Sequence, residues 1–265
     1  MSTPVVRTVL MHELRNVPRD RGVLAYGIGL LLITECVLRL AGSAPRALVT
    51  LMNLVLVVVP LVTIVFGVIS WHASREFNEL LLAQPVRRRA LFAALYAGLI
   101  GPLAAAFSVG LLLPFVLRAS WMAEAWLLLF SIWASGVLLT AVFGGLALLI
   151  GVTVDDRLRG VGLALAVWLL LTVVYDGGVL VVATTFSDYP LEKPMLALTL
   201  GNPVDLARTL VIMQSDAAAL MGYTGAVMHR FLGSVAGSAA SAIGLLLWTL
   251  VPAWLGRRTF ERRDF

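Results

Sequence analysis

The chain has 265 residues, 60% of them hydrophobic and only 13% charged, with a mean hydropathy of +0.95. A water-soluble domain of this length cannot bury that much apolar surface, so the composition excludes one and makes lipid the solvent. The net charge of +5 comes from arginine, Lys193 being the only lysine, and it reports topology and contact with anionic headgroups before it suggests nucleic acid.

Arg7, Glu13, Arg15, Arg19 and Arg21 precede the first long apolar run, and no cleavable secretory signal is visible there. Val5, Val6, Val9, Leu10, Leu14 and Val17 recur at helical spacing against Arg7, Glu13 and Arg15. That pattern predicts an amphipathic helix in the membrane interface, ended near Pro18, which either anchors the chain or touches a partner. About 20 apolar residues cross the hydrocarbon, and six runs meet that length: 22–40, 47–70, 90–117, 125–151, 161–186 and 234–255. The expected fold is all-α, one polytopic membrane domain over residues 1–265. It has six transmembrane helices, an N-terminal interfacial helix and an outer helical loop at 187–233 between spans five and six.

With both termini inside, the cytoplasmic segments hold Arg7, Arg15, Arg19, Arg21, Arg75, Arg87 to Arg89, Arg157, Arg159, Arg257, Arg258, Arg262 and Arg263. The outside keeps Arg39, Arg46, Arg118, Lys193, Arg208 and Arg230. The positive-inside rule selects this orientation, and an even number of spans agrees with it.

Cys36, the only cysteine, lies within the first span and excludes an intrachain disulfide. Glu35 and Arg39 stand i, i+4 near the outer end of that span, where they can pair and snorkel or, as a second reading, line a path. Between spans two and three, residues 74–85 suit a short helix that Ser74 caps and Pro85 stops. Glu76 and Glu79 lie on its polar side and Leu80, Leu81 and Leu82 on its apolar one. Arg87 to Arg89 then set the entry to the third span at headgroup level. Such a helix, held on two spans, can transmit a push; an ordinary loop is the other reading. Gly101, Pro102 and Pro114 predict bends in the third span. Asp176, followed by Gly177 and Gly178, falls roughly 22 Å from the inner end of the fifth span at helical rise. A lone carboxylate facing lipid would cost about 2.5–3.5 kcal/mol, so an internal partner is expected, at a dimer seam or in a path.

In the outer loop Asn202 can cap a helix, Pro203 suits its first position, and Asp205 falls where the dipole favours an anion. Leu206, Leu210, Met213, Ala217 and Leu220 continue an apolar stripe of about five turns. A second segment, 222–231, carries Tyr223, His229 and Phe231. Two outer helices over 203–231 are expected, docking a partner or packing on the span ends. Gly233, Gly237 and Ser241 open the last span with small residues that permit close helix packing. Met195, Met213, Met221, Met228 and His229 are soft-metal types without a clustered motif, and packing is the expected role of the methionines. His12, His72 and His229 form no metal set, and no nucleophile, base and orienter stand together. Neither a catalytic nor a metal site is expected, and the absence of any G-x-x-x-x-G-K-[ST] excludes a P-loop.

EFNELLLAQPVR, residues 76–87, resembles the first cytoplasmic loop of ABC exporter permeases of the second export class. Their loop reads as an acidic residue, a Gly-Thr-Leu-like step, a leucine cluster and Pro-x-x-Arg; Phe77 and Asn78 replace the Gly-Thr step here. HELRNVPRDRG, residues 12–22, resembles the same family's interfacial elbow helix. GLALAVWLLLTVVYD (162–176) and GNPVDLARTL (201–210) are similar to the NosY type within this class, membrane subunits of NosDFY transporters that serve copper-site maturation of nitrous-oxide reductase. The resemblance implies that residues 74–85 are a coupling helix contacting a separate, NosF-like ATPase through Glu76, Glu79, Leu80 to Leu82, Pro85 and Arg87. It implies a homodimeric permease in the bacterial inner membrane that binds no cofactor itself, ATP and Mg being held by the ATPase. It further implies a NosD-like periplasmic copper-handling protein against the outer loop, at Asn202, Pro203, Asp205, Arg208 and Tyr223. An exporter of a hydrophobic drug, lipid or polysaccharide, and a membrane assembly factor without an ATPase, remain the alternatives.

Overall fold

A long apolar segment in lipid has no water to satisfy its amides, so each must close its own hydrogen bonds as a helix. A computed structural model of the chain describes residues 21–75, 87–185, 197–213 and 223–262, with 119–125 and 223–236 described as helix backbone. Every regular element among them is helical. We label them α1 (Arg21–Ala41), α2 (Ala44–Ala73), α3 (Arg88–Val116), α4 (Ala119–Thr153), α5 (Arg157–Thr185), α6 (Pro203–Ile212) and α7 (Tyr223–Arg262). All but α6 contain a stretch long and apolar enough to cross a membrane, which makes six spans. The amphipathic N-terminal segment and residues 76–85 of the expected coupling helix lie outside the described residues.

The links at the end away from the arginine-rich segments are tight. Gly42 and Ser43 alone separate α1 from α2, and Gly42 adopts φ +70°, which a glycine enters without steric penalty. Leu117 and Arg118 alone separate α3 from α4, so the helix that carries the fourth span begins several residues before the span itself, Trp126–Thr153. Pro102 and Pro114 are accommodated inside a continuous α3.

α4 is the centre of the bundle. It presents no polar face, as suits a helix with apolar surroundings on every side. Its most apolar window is 67% buried, against 6% for α5. It packs on α2, α3, α6 and α7. Small residues let these neighbours close in: Gly144 faces Ile100 of α3, Gly145 faces Pro252 and the Ala253 backbone of α7, and Gly151 faces Trp71 of α2. Phe107, Phe143, Leu139 and Ile132 are fully buried there.

One expectation is corrected here. Residues 223–231 do not form a separate outer helix; they are the beginning of α7, which runs unbroken from Tyr223 to Arg262. No proline stands between Tyr223 and Val251, and isolated glycines weaken a helix without stopping it.

Candidate functional site

α6 begins where the sequence places it. Asn202 is its cap, in extended conformation, and its side-chain oxygen accepts from the Val204 N–H at 3.0 Å; Pro203 takes the first helical position. Its location is unexpected. Asn202 Nδ2 donates to the Leu171 carbonyl at 2.8 Å, and Leu171 lies roughly 21 Å from either end of α5 at helical rise. Trp248 Nε1 of α7 donates to the Leu200 carbonyl at 3.2 Å, and Leu206 packs beside Gly244. Ser135, midway along α4, lies 3.5 Å from the Ala207 carbonyl. The segment 197–213 therefore dips between α4, α5 and α7 from the end where α5 finishes and α7 starts.

This corrects the reading of Asn202, Pro203 and Asp205 as a surface for a partner. All three are buried, as are Val204, Leu206, Ala207 and Val211. The described part of the apolar stripe, Leu206, Leu210 and Met213, packs among the spans. Met213 is buried as well, which gives it a packing role. The helix ends at Ile212, shorter than its stripe suggests; residues 214–222 lie outside the described residues.

Asp176 receives the internal partner that its position required. Arg208 Nη2 is 2.8 Å from Asp176 Oδ2, and Arg208 Nη1 is 3.1 Å from Asp205 Oδ1. Asn202 Nδ2 also reaches Asp205 Oδ2 at 3.2 Å. One guanidinium thus joins the inserted helix to the fifth span. A third tie lies beside it: Tyr175 Oη donates to the Leu198 carbonyl at 2.7 Å. Any Cβ at Gly201 would stand 2.6 Å from that hydroxyl, so glycine is required for the approach.

The fifth span changes character at the same level. Leu170–Val174 forms a π-helical turn, and beyond it Tyr175–Thr185 buries no residue. Leu180 and Val181 are exposed, and Cβ atoms added at Gly177 and Gly178 would meet nothing within 4 Å. Below the turn, Trp168 Nε1 donates to the Val57 carbonyl at 3.1 Å and holds α5 on α2. A π-turn interrupts the regular ladder and is a place where a helix can give. Half of α5 is thus fastened to the bundle, and the half beyond Leu171 is fastened by polar ties to α6.

The other expected residues fall in two places. Glu35 accepts from Arg39 Nε at 2.8 Å and, in two-pronged fashion, from Arg118 Nη1 and Nη2 at 2.7 Å each. The i, i+4 pair foreseen in the sequence is present, and Arg118 adds a tie from α1 to the end of α3. This cluster is distinct from the Asp176 cluster: Glu35 pairs with Arg39 and Arg118, whereas Asp176 and Asp205 share Arg208. At the arginine-rich end, Arg87 is the exposed residue preceding α3, while Glu76, Glu79, Leu80, Leu81, Leu82 and Pro85 lie outside the described residues. Tyr223 is the first residue of α7. No group of three metal-binding side chains occurs among the described residues.

The sequence reading missed Arg208 as the partner of Asp176, Arg118 as a partner of Glu35, and the junction at the arginine-rich end. There Arg75 Nη1 is 3.1 Å from Asp155 Oδ1, and His72 Nε2 lies 3.1 Å from the Val154 carbonyl. Asp156 then caps α5 by accepting from the Arg159 N–H at 2.7 Å. Only that cap had a local signal, an aspartate just before a helical apolar run.

The model for the ABC-2 family transporter proteins matches residues 74–265. The chain is also similar to the "Probable ABC transporter permease protein NosY" of Pseudomonas aeruginosa, with 25% identity over 98% of this chain and 99% of that one.

Proposed function

The chain belongs to the ABC-2 transporter family, and from that premise we infer that this membrane subunit carries ATP-driven motion to the opposite face of the membrane, as a NosY-like permease would. It works as a homodimer in the bacterial inner membrane with both termini cytoplasmic, on two separate ATPase subunits that hold ATP and Mg. Residues 74–85 receive the push. The junction of Arg75 with Asp155 and of His72 with Val154 hands it to the start of α5. Beyond the π-turn, the unburied half of α5 moves with α6, because Asn202, Tyr175 and Asp176 hold the two together. That arrangement is the observation that carries the reading: a half-span with no apolar seat of its own, joined to an inserted helix by polar bonds. The output is copper-site maturation of nitrous-oxide reductase through a NosD-like periplasmic protein.

The test uses the chain co-expressed with an ATPase and a NosD-like candidate encoded beside it. A photo-crosslinker at Tyr223, at the far end of α7, is expected to trap the periplasmic protein with a yield that changes between ATP-bound and nucleotide-free states. Crosslinks only to lipid or to the permease in every state would defeat the transmission reading and favour an exporter of a hydrophobic drug, lipid or polysaccharide. Failure of any ATPase to co-purify would favour an assembly factor without one.

A further inference from the structure

The two helix ends that meet at the arginine-rich face bring six arginines together. Arg87, Arg88 and Arg89 open α3, and Arg257, Arg258 and Arg262 close α7. The helices are pressed together there: Phe92 and Phe260 have ring centroids 5.8 Å apart, and Gly256 lies against the Phe92 ring. Among the described residues of these two ends, Glu261 is the one carboxylate. Arg89 Nε at 3.1 Å and Arg257 Nε at 3.3 Å share it, and Arg88 donates to the Glu261 carbonyl at 3.0 Å. The first turn of α3 contains no acidic residue, although a helix amino end favours negative charge.

The surroundings identify what sits against this charge. Leu246, Leu247, Leu250 and Val251 form an exposed apolar face on α7 that ends at Trp254, itself 49% exposed. One turn later the Arg258 guanidinium lies 5.3 Å from the Trp254 ring centroid. Aromatic rings followed by arginines mark the depth at which hydrocarbon gives way to headgroups. Guanidinium groups suit phosphate oxygens because they donate in pairs, and basic pockets between spans hold acidic headgroups. The adjoining apolar face favours a lipid over a soluble anion, because acyl chains can lie along Leu250, Val251 and Trp254. It also favours a lipid over a protein partner, since that face looks into the bilayer.

We propose that the paired ends of α3 and α7 bind the phosphate of an anionic phospholipid, with Arg258 and Arg262 on the phosphate, Arg89 and Arg257 behind them, and Trp254 against the first acyl carbons. The site is independent of what the transporter moves. It is tested on the full chain in bilayer discs of phosphatidylcholine doped with brominated phosphatidylglycerol or brominated phosphatidylcholine. The Trp254 signal is obtained by subtracting the fluorescence of Trp254→Phe. Half-quenching is expected at about thirtyfold less phosphatidylglycerol than phosphatidylcholine, from near 1 kcal/mol for each of the two arginines on the phosphate. Arg258→Gln with Arg262→Gln is expected to abolish the preference, and Arg258→Lys with Arg262→Lys to retain most of it. The lysine pair also distinguishes lost charge from a lost fold. Equal quenching by both lipids would overturn the proposal. So would displacement by added inorganic phosphate, which would mean a soluble anion. A glutamine pair that keeps the lipid preference but no longer co-purifies with the ATPase would overturn it too, in favour of a protein contact.

Discussion

Asn202 combines two jobs that pull in opposite directions under substitution. Its carbonyl oxygen caps α6, and its amide donates to the Leu171 carbonyl at 2.8 Å while fully buried. Asn202→Ala is expected to destabilise the protein by about 2–4 kcal/mol, combining a lost cap with a buried carbonyl left unpaired. Asn202→Asp is expected to be worse, although aspartate is an equally good cap in isolation. A carboxylate cannot donate to Leu171 and would face Asp205, which lies 3.2 Å from the present amide. Thermal unfolding of the two purified variants checks the order. Asp176→Asn, beside them, is expected to cost about 1 kcal/mol, the scale of a polar contact between membrane helices. Asp176→Arg alone should cost more, since it sets two guanidinium groups against each other. Adding Arg208→Asp should recover part of that loss, the remainder reflecting the repulsion that a carboxylate at position 208 would meet from Asp205. The cap was legible in the sequence because it is local. The partner of Asp176 was not, because Arg208 arrives from the far side of a long connection.

At the scale of elements, spacing between helices depends on where a Cβ is absent. Gly110 of α3 sits against α1: an added Cβ would stand 2.8 Å from the Leu30 Cβ and 3.0 Å from the Gly27 carbonyl oxygen. Neither neighbour is the loose end of a side chain. Gly110→Ala must therefore push the two spans apart, at about 1–3 kcal/mol, which exceeds the gain of about 1 kcal/mol in helix propensity. Gly29, on α1, has nothing within 4 Å of such an atom. Gly29→Ala is expected to be neutral or stabilising by up to about 1 kcal/mol, and unfolding of both variants under one condition makes the comparison. The sequence shows two similar glycines in two similar apolar helices; only the crossing of α1 and α3 separates them.

For the whole molecule, the fifth span is the surface to watch. A span whose most apolar window is 6% buried faces either lipid or a second copy, and the part-exposed Asp176–Arg208 pair in the half away from the arginine-rich end favours protein cover over hydrocarbon. Cys36 is the only cysteine, so a Cys36→Ser background leaves a clean canvas. If the proposed homodimer forms through this span, new cysteines at Gly178, Leu180 and Val181 are expected to give disulfide-linked dimers in membranes under mild oxidation, because a two-fold axis would bring identical residues together. A cysteine at Val109, exposed on α3, should stay monomeric. Crosslinking through Val109 and not through the fifth span would place the second copy on another face.

Composition and hydrophobic period determined by themselves that the chain is an all-helical membrane protein with six spans. The spacing of polar residues also determined the start of α6 and the Glu35–Arg39 pair. These features depend on solvent and on neighbours within one or two turns, so they are written along the chain. Where α6 sits was decided only in three dimensions. Its apolar stripe would look the same lying on the span ends or inserted among them. What selects insertion is the fit of Leu206 at Gly244, Asn202 at the π-turn and Arg208 between two aspartates. Each of these matches residues far apart in sequence, and packing free energy depends on that match and not on the period that announces a helix.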